Sequence, residues 1–192
     1  TTENKYIRLF LFKYFKIKAI VSLPQLAFEP YTSTKTSILF AQKKTKDEID
    51  RWNEVWDIAS SEWQSLKTRV VNLISVHDGT KIKSKLPSIK DLTREEETSI
   101  VRQMLKPYIV VRDDNLSANE LIDKYRSELE SLCAYDKDTK DFFGFVNTWW
   151  VFSEVSHKID YPVTMVEADN IGYKRSKRGE KVMPNELYRT DN

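Results

Sequence analysis

Lys16–Lys44 reads KIKAIVSLPQLAFEPYTSTKTSILFAQKK. Two apolar runs bracket a loop in it. The first, with Ile17, Ala19, Ile20 and Val21, stops at Leu23-Pro24; the second is Ser37-Ile38-Leu39-Phe40-Ala41. Their length, β-branching and flanking breakers predict two buried strands. Pro24 and Pro30 restrict the loop between them, because each ring fixes its own φ and disfavours helix in the residue before it. Phe28 is therefore a large aromatic on a stiffened connection between strands, a place where binding groups are often held.

In order and spacing these residues resemble the late region of N-6 adenine DNA methylases, in particular the modification subunits of type I restriction-modification systems. Those proteins carry a strand ending in Leu-Pro, an aromatic in a short loop, and a Lys-Thr leading into an apolar strand. Here the pattern is Ser22-Leu23-Pro24, Phe28 and Lys35-Thr36-Ser37-Ile38-Leu39. A second resemblance lies in Asn170-Ile171-Gly172-Tyr173, the basic run Lys174 to Lys181, and Pro184-Asn185-Glu186-Leu187. The same family often ends with Ile-Gly-Tyr, a basic or Gly-containing turn and Pro-Asn-acidic-Leu.

The resemblance implies an α/β fold. Residues 1–46 would supply strand-loop-strand at the C-terminal end of a Rossmann-like, S-adenosylmethionine-dependent methyltransferase sheet. Residues 47–192 would form a mainly helical extension with a basic tail. It implies transfer of a methyl group to adenine N6 in double-stranded DNA, and assembly with specificity and restriction subunits. Two family motifs are missing, the Gly-rich cofactor loop and the Asn/Asp-Pro-Pro-aromatic that holds the adenine amine. Only Gly79, Gly144, Gly172 and Gly179 are present, with no Gly-x-Gly and no Pro-Pro. With a first residue of Thr1, the chain is expected to be the C-terminal portion of a longer protein whose N-terminal part binds the cofactor. Alone it should be inactive and hold no catalytic residue. The alternative is a noncatalytic helical protein-interaction module.

Composition fits an ordinary globular domain: 192 residues, 31% charged and 40% hydrophobic. Lys13, Lys16 and Lys18 interrupt the N-terminal apolar run, which fits neither a signal peptide nor a membrane span. The single Cys133 cannot form an internal disulfide, so a reducing cytoplasm is the expected setting. The net charge of +2 is uneven: about +7 over residues 1–46, about +3 over 171–192, and about −8 between. Basic ends around an acidic middle place any polyanion contact at the ends.

Within the resemblance, Phe28 would stack against an adenine turned out of the duplex, since chemistry on a base requires extruding it and a flat face offsets lost stacking. The other reading is a Phe closing the sheet's core. Thr34, Lys35 and Thr36 could contact phosphate or simply form a polar strand entrance. Lys174, Arg175, Lys177 and Arg178 form the densest basic cluster, read as a loop that grips phosphates, meets a specificity subunit or stays solvated. Metal binding finds no spacing: His77, His157 and Cys133 are isolated, and Asp136, Asp138 and Asp141 lack the Gly and Glu of a calcium loop.

The remaining elements follow from periodicity and caps. Lys5–Tyr14 reads as a helix. From Asp47 the residues Ile49, Trp52, Trp56, Ala59, Trp63, Leu66, Val70 and Leu73 recur at steps of three and four, an apolar helical seam. The seam is read as core, with a partner-docking face as the alternative. Thr93-Arg94-Glu95-Glu96 and Ser117-Ala118-Asn119-Glu120 have capping-box form. Phe142–Val155 is aromatic-rich and also read as core, helix or strand; Tyr108–Val111 and Tyr161–Val166 read as extended.

Overall fold

The computed structural model describes residues 5–25, 27–29, 31–108, 115–176 and 179–187, with 174–176 described by backbone alone. The fold is mixed α/β. In chain order come α1 (Lys5–Tyr14), β1 (Phe15–Ser22), β2 (Ser37–Lys43), α2 (Lys46–His77), α3 (Arg94–Leu105), α4 (Ala118–Lys124) and α5 (Arg126–Cys133). Then follow α6 (Lys140–Phe143), α7 (Thr148–Lys158), β3 (Thr164–Glu167), β4 (Ile171–Ser176) and β5 (Gly179–Asn185). The chain divides into two compact units, one of Thr1–Tyr6 with Asp50–Asp160, the other of Ile7–Ile49 with Tyr161–Asn192.

The first unit is helical and built around α2. Trp52, Trp56, Ala59, Trp63, Leu66, Val70 and Leu73 of the seam are all buried. This stripe is core, so it offers no docking face. Indole N–H groups inside an apolar core need partners. Trp56 Nε1 donates to the Phe143 carbonyl at 3.1 Å and Trp63 Nε1 to the Leu132 carbonyl at 3.0 Å. Both capping boxes form, Thr93 with Glu96 before α3 and Ser117 with Glu120 before α4. Tyr125, whose φ of −116° and ψ of 30° depart from helical values, separates α4 from α5.

Residues 142–155 resolve into α6 and the longer α7. Asn147 caps α7 by accepting from Trp150 N at 3.0 Å, while its amide donates to the Ser131 and Ala134 carbonyls. Asp136 adds a second staple, accepting from Thr148 N at 2.8 Å, from the Thr148 hydroxyl and from Lys5 Nζ at 3.1 Å. The aromatics of this stretch are only partly core. Phe143 and Trp150 are buried, whereas Phe142, Phe145 and Trp149 are 65%, 64% and 53% exposed. The helical period explains the split within α6 and α7, where the neighbours Phe142 and Phe143, and Trp149 and Trp150, point about 100° apart; Phe145 lies between the two helices.

The second unit holds the strands. A three-stranded sheet has the order β2-β1-β3, with β1 antiparallel to β2 and parallel to β3. Its core is small and includes Leu9, Ile17, Leu23, Ala27 and Ala168. The apolar run of β2 predicts a buried strand, but every residue of β2 is exposed, Ile38, Leu39 and Phe40 among them. β2 is an edge strand here, paired with β1 on one side. Beyond its end, Lys44 is buried, and its ammonium donates to the Phe12 carbonyl at 2.7 Å. Burial pulls the Lys44 pKa below its ordinary value, against the raising effect of Glu48.

The described residues of the basic segment, Lys174–Ser176 and Gly179–Lys181, lie on two paired strands rather than in the expected loop. β4 and β5 pair antiparallel from Ile171↔Asn185 to Ser176↔Gly179, with Lys174 opposite Lys181 and Arg175 opposite Glu180. Backbone pairing forms without the apolar alternation that marks a half-buried strand, because β5 is solvent-exposed except at Met183. Of the stretch Tyr108–Val111, Tyr108 lies in a turn and the rest falls outside the described residues.

Candidate nucleic-acid interface

The loop between β1 and β2 is held from inside. Leu23 N donates to the Thr36 carbonyl at 3.0 Å, joining the two ends where the strands diverge. Gln25 Nε2 reaches across to the Ser33 carbonyl at 2.7 Å. Ala27 N donates to the Pro24 carbonyl, and the amides of Tyr31 and Thr32 both donate to the Phe28 carbonyl, at 2.9 and 3.1 Å. The backbone on either side of Phe28 is thus tied, while the residue is 45% exposed. Phe28 does not close the core. Its neighbour Ala27 does, and Tyr31 is still more open than Phe28.

The polar residues leading into β2 are occupied locally. Lys35 Nζ pairs with Glu167 on β3 at 2.7 Å, and the hydrogen bond from Lys35 holds the Glu167 carboxyl below its ordinary pKa. Both partners are well exposed, so the pair contributes little to stability and can be exchanged for another anion. Thr34 N donates to the Thr32 hydroxyl at 3.1 Å. The Thr36 hydroxyl is buried without a hydrogen-bond partner among the described residues, which makes it a poor phosphate donor in this arrangement.

The two sequence blocks that carry the resemblance meet in this unit. Tyr173, from Ile171-Gly172-Tyr173 on β4, donates its phenolic hydrogen to the Ala27 carbonyl at 2.8 Å, one residue before Phe28. Gly172 has φ of +92°, and an added Cβ would lie 3.3 Å from the Asn185 amide nitrogen, so glycine is needed where β4 bulges beside Asn185. Glu186 then locks the root of the hairpin by accepting from Asp169 N at 2.8 Å and Asn170 Nδ2 at 2.9 Å. These hydrogen bonds, chiefly that from Asn170, lower the Glu186 pKa. Asn185 Oδ1 accepts from Leu187 N at 3.0 Å. The motif Pro184-Asn185-Glu186-Leu187 is therefore a staple for the hairpin's base.

A cleft of about 240 Å³ lies between the loop and the hairpin root, lined by Gln25, Ala27, Asp169, Asn170, Tyr173 and Met183, among others. Its volume suits a small organic group, but its walls include a carboxylate, which disfavours phosphate. Of the basic cluster, Lys174 and Arg175 fall on β4, and Lys177 and Arg178 lie outside the described residues. Sequence reasoning missed Tyr173, Gln25 and Glu186 as determinants of this site. For Tyr173 the signal is present in the Ile-Gly-Tyr motif, without any indication of what the hydroxyl meets.

Among the described residues no group of three or more His, Cys, Asp or Glu side chains is placed to hold a metal ion, and no helix is long and apolar enough to cross a membrane. Cys133 is buried, and burial pushes its thiol up to about 11, so it stays protonated near neutral pH. No family model matches the chain, and no curated protein matches it.

Proposed function

We propose that this chain is the C-terminal portion of a DNA adenine-N6 methyltransferase, of the kind found as the modification subunit of type I restriction-modification systems. The observation that carries the reading is Phe28, an aromatic ring left in solvent on a loop whose backbone is tied on both sides. Burying such a ring against a partner surface is favourable. An extruded adenine supplies one: a flat face that has lost its neighbours in the stack. Double-stranded DNA is the substrate in this reading, with Thr34, Lys35 and the basic residues of β4 near phosphates. Specificity and restriction subunits would be protein partners, and the cytoplasm the setting.

The finer fold belongs to the same proposal. A sheet edge carrying Ile38, Leu39 and Phe40 in solvent suits strands that complete a larger Rossmann-like sheet, since apolar edges are otherwise covered or charged. S-adenosylmethionine does not fit the residues present. The four glycines are isolated in the sequence, and Asp169 in the cleft lining disfavours a ligand that itself carries a carboxylate. Its site would lie in a preceding part of the protein. A noncatalytic interaction module is the second reading, favoured by the exposure of three large aromatics, Phe142, Phe145 and Trp149, on the helical unit.

Assaying the full-length gene product for transfer of labelled methyl groups from S-adenosylmethionine to adenine in DNA tests the reading. Methylated adenine from the wild type, strongly reduced by Phe28→Ala, is the expected result. No methyl transfer by the full-length protein, or full activity in a folded Phe28→Ala variant, sinks it.

A further inference from the structure

The hydrogen bond from Tyr173 to Ala27 joins residues 146 positions apart. Through it a side chain of the hairpin grips the backbone of the loop that carries Phe28. The loop's internal ties run within Leu23–Thr36 and bring its own ends together. They fix its shape, while its place in the unit is set by the burial of Leu23 and Ala27, by the exposed Lys35–Glu167 pair and by the Tyr173 bond. Beside the Tyr173 bond lies the 240 Å³ cleft, so the loop has space to sink into when the bond is absent. The approach of β4 is in turn set by Gly172 against Asn185 and by Glu186 at the hairpin root.

We propose that Tyr173 is a positioning residue: its hydroxyl, bonded to the Ala27 carbonyl, holds the loop in the place from which Phe28 meets the target base. This deepens the methylase reading and rests on it for the identity of the base. It also gives a reason why the Leu-Pro-aromatic block and the Ile-Gly-Tyr block occur in one chain: the second holds the first in register.

Tyr173→Phe removes the one oxygen and keeps the ring. Amide hydrogen exchange on the 192-residue chain, read by peptide mass spectrometry, should show residues 23–36 exchanging about three- to tenfold faster in the variant, the range expected for one lost hydrogen bond. Peptides from α2 and α3 should be unchanged, which controls for global folding. Gly172→Ala, which displaces β4 without touching the hydroxyl, should raise exchange in the same peptides. Unchanged exchange in residues 23–36 for a folded Tyr173→Phe protein overturns the proposal.

The link to Phe28 is read in the full-length protein by a double-mutant cycle. Tyr173→Phe alone should lower methyl transfer about three- to tenfold, again the range for one hydrogen bond, and should add no further loss in a Phe28→Ala background. A merely structural role gives additive losses, and that result also overturns the proposal. The two failures are distinguishable. A full-length protein that transfers no methyl group defeats the methylase reading, while the exchange measurement still decides whether Tyr173 holds the loop.

Discussion

Phe28 and Asp136 are opposite kinds of residue, and each makes a separable prediction. Phe28 sits half-exposed with its backbone bonded, so truncating it removes binding surface rather than core. In the full-length protein Phe28→Ala should weaken target binding by about 1–3 kcal/mol, the worth of one base–aromatic stack, while the melting temperature barely moves. Phe28→Tyr and Phe28→Trp keep a flat face and should retain more affinity. Equilibrium binding to duplex DNA alongside thermal melts checks both halves. Asp136 is instead a structural anion in the helical unit. Burial raises its pKa, but the Thr148 hydroxyl and amide, together with Lys5, outweigh burial and hold the carboxyl below its ordinary value. A depressed carboxylate stabilises the fold at pH above its unfolded pKa of about 3.9 and loses that contribution as pH falls through the folded value. Asp136→Asn should therefore cost about 1–2 kcal/mol at about pH 7, with the gap to wild type closing in melts below about pH 4. A gap that stays constant across that range would show that the charge of Asp136 is idle.

At the scale of elements, what is legible in the sequence is what local physics dictates. The seam on α2 announces itself because steps of three and four place its residues on one face, and all seven from Trp52 to Leu73 are buried. The capping boxes at Thr93 and Ser117 are equally readable, since a hydroxyl and a Glu three residues on satisfy each other's backbone. The β4–β5 hairpin is not readable, because Lys174, Arg175, Glu180 and Lys181 break any apolar alternation and the strands are joined by cross-strand backbone pairing. Phe28 stands out by its place between Pro24 and Pro30. Its tie to Tyr173 does not, as nothing local marks an interaction across 146 positions. The hairpin sets its own test. If its cations grip phosphates, replacing Lys174, Arg175, Lys177 and Arg178 with Gln should weaken specific and non-specific DNA alike. The logarithmic salt slope should become shallower by up to about 0.9 for each phosphate no longer engaged, with base preference intact. Affinities at several salt concentrations decide it, and an unchanged slope with lost assembly would assign the cluster to a protein partner.

At the scale of the whole molecule, the 192-residue chain should give no saturable heat on calorimetric titration with S-adenosylmethionine. Its glycines are scattered, and none opens a strand-to-helix turn of the Gly-rich type. One-site binding would refute that expectation and with it the view that cofactor contacts lie outside this chain. The path of the polypeptide has a kinetic corollary. β3 pairs with β1 through Ala19↔Thr164, yet Asp50–Asp160, most of the helical unit, is strung between them. Closing so long a loop has a large entropic cost, and such non-local pairing slows folding. On the ribosome, β1 and β2 emerge first and must wait for the whole of that unit to be made before their third strand exists. Through that interval the helical unit can consolidate from its own sequence-local contacts, and by doing so it shortens the effective gap that β3 has to bridge. Refolding should consequently run in two phases, helix formation ahead of sheet closure, with the exposed apolar edge of β2 most prone to self-association between them.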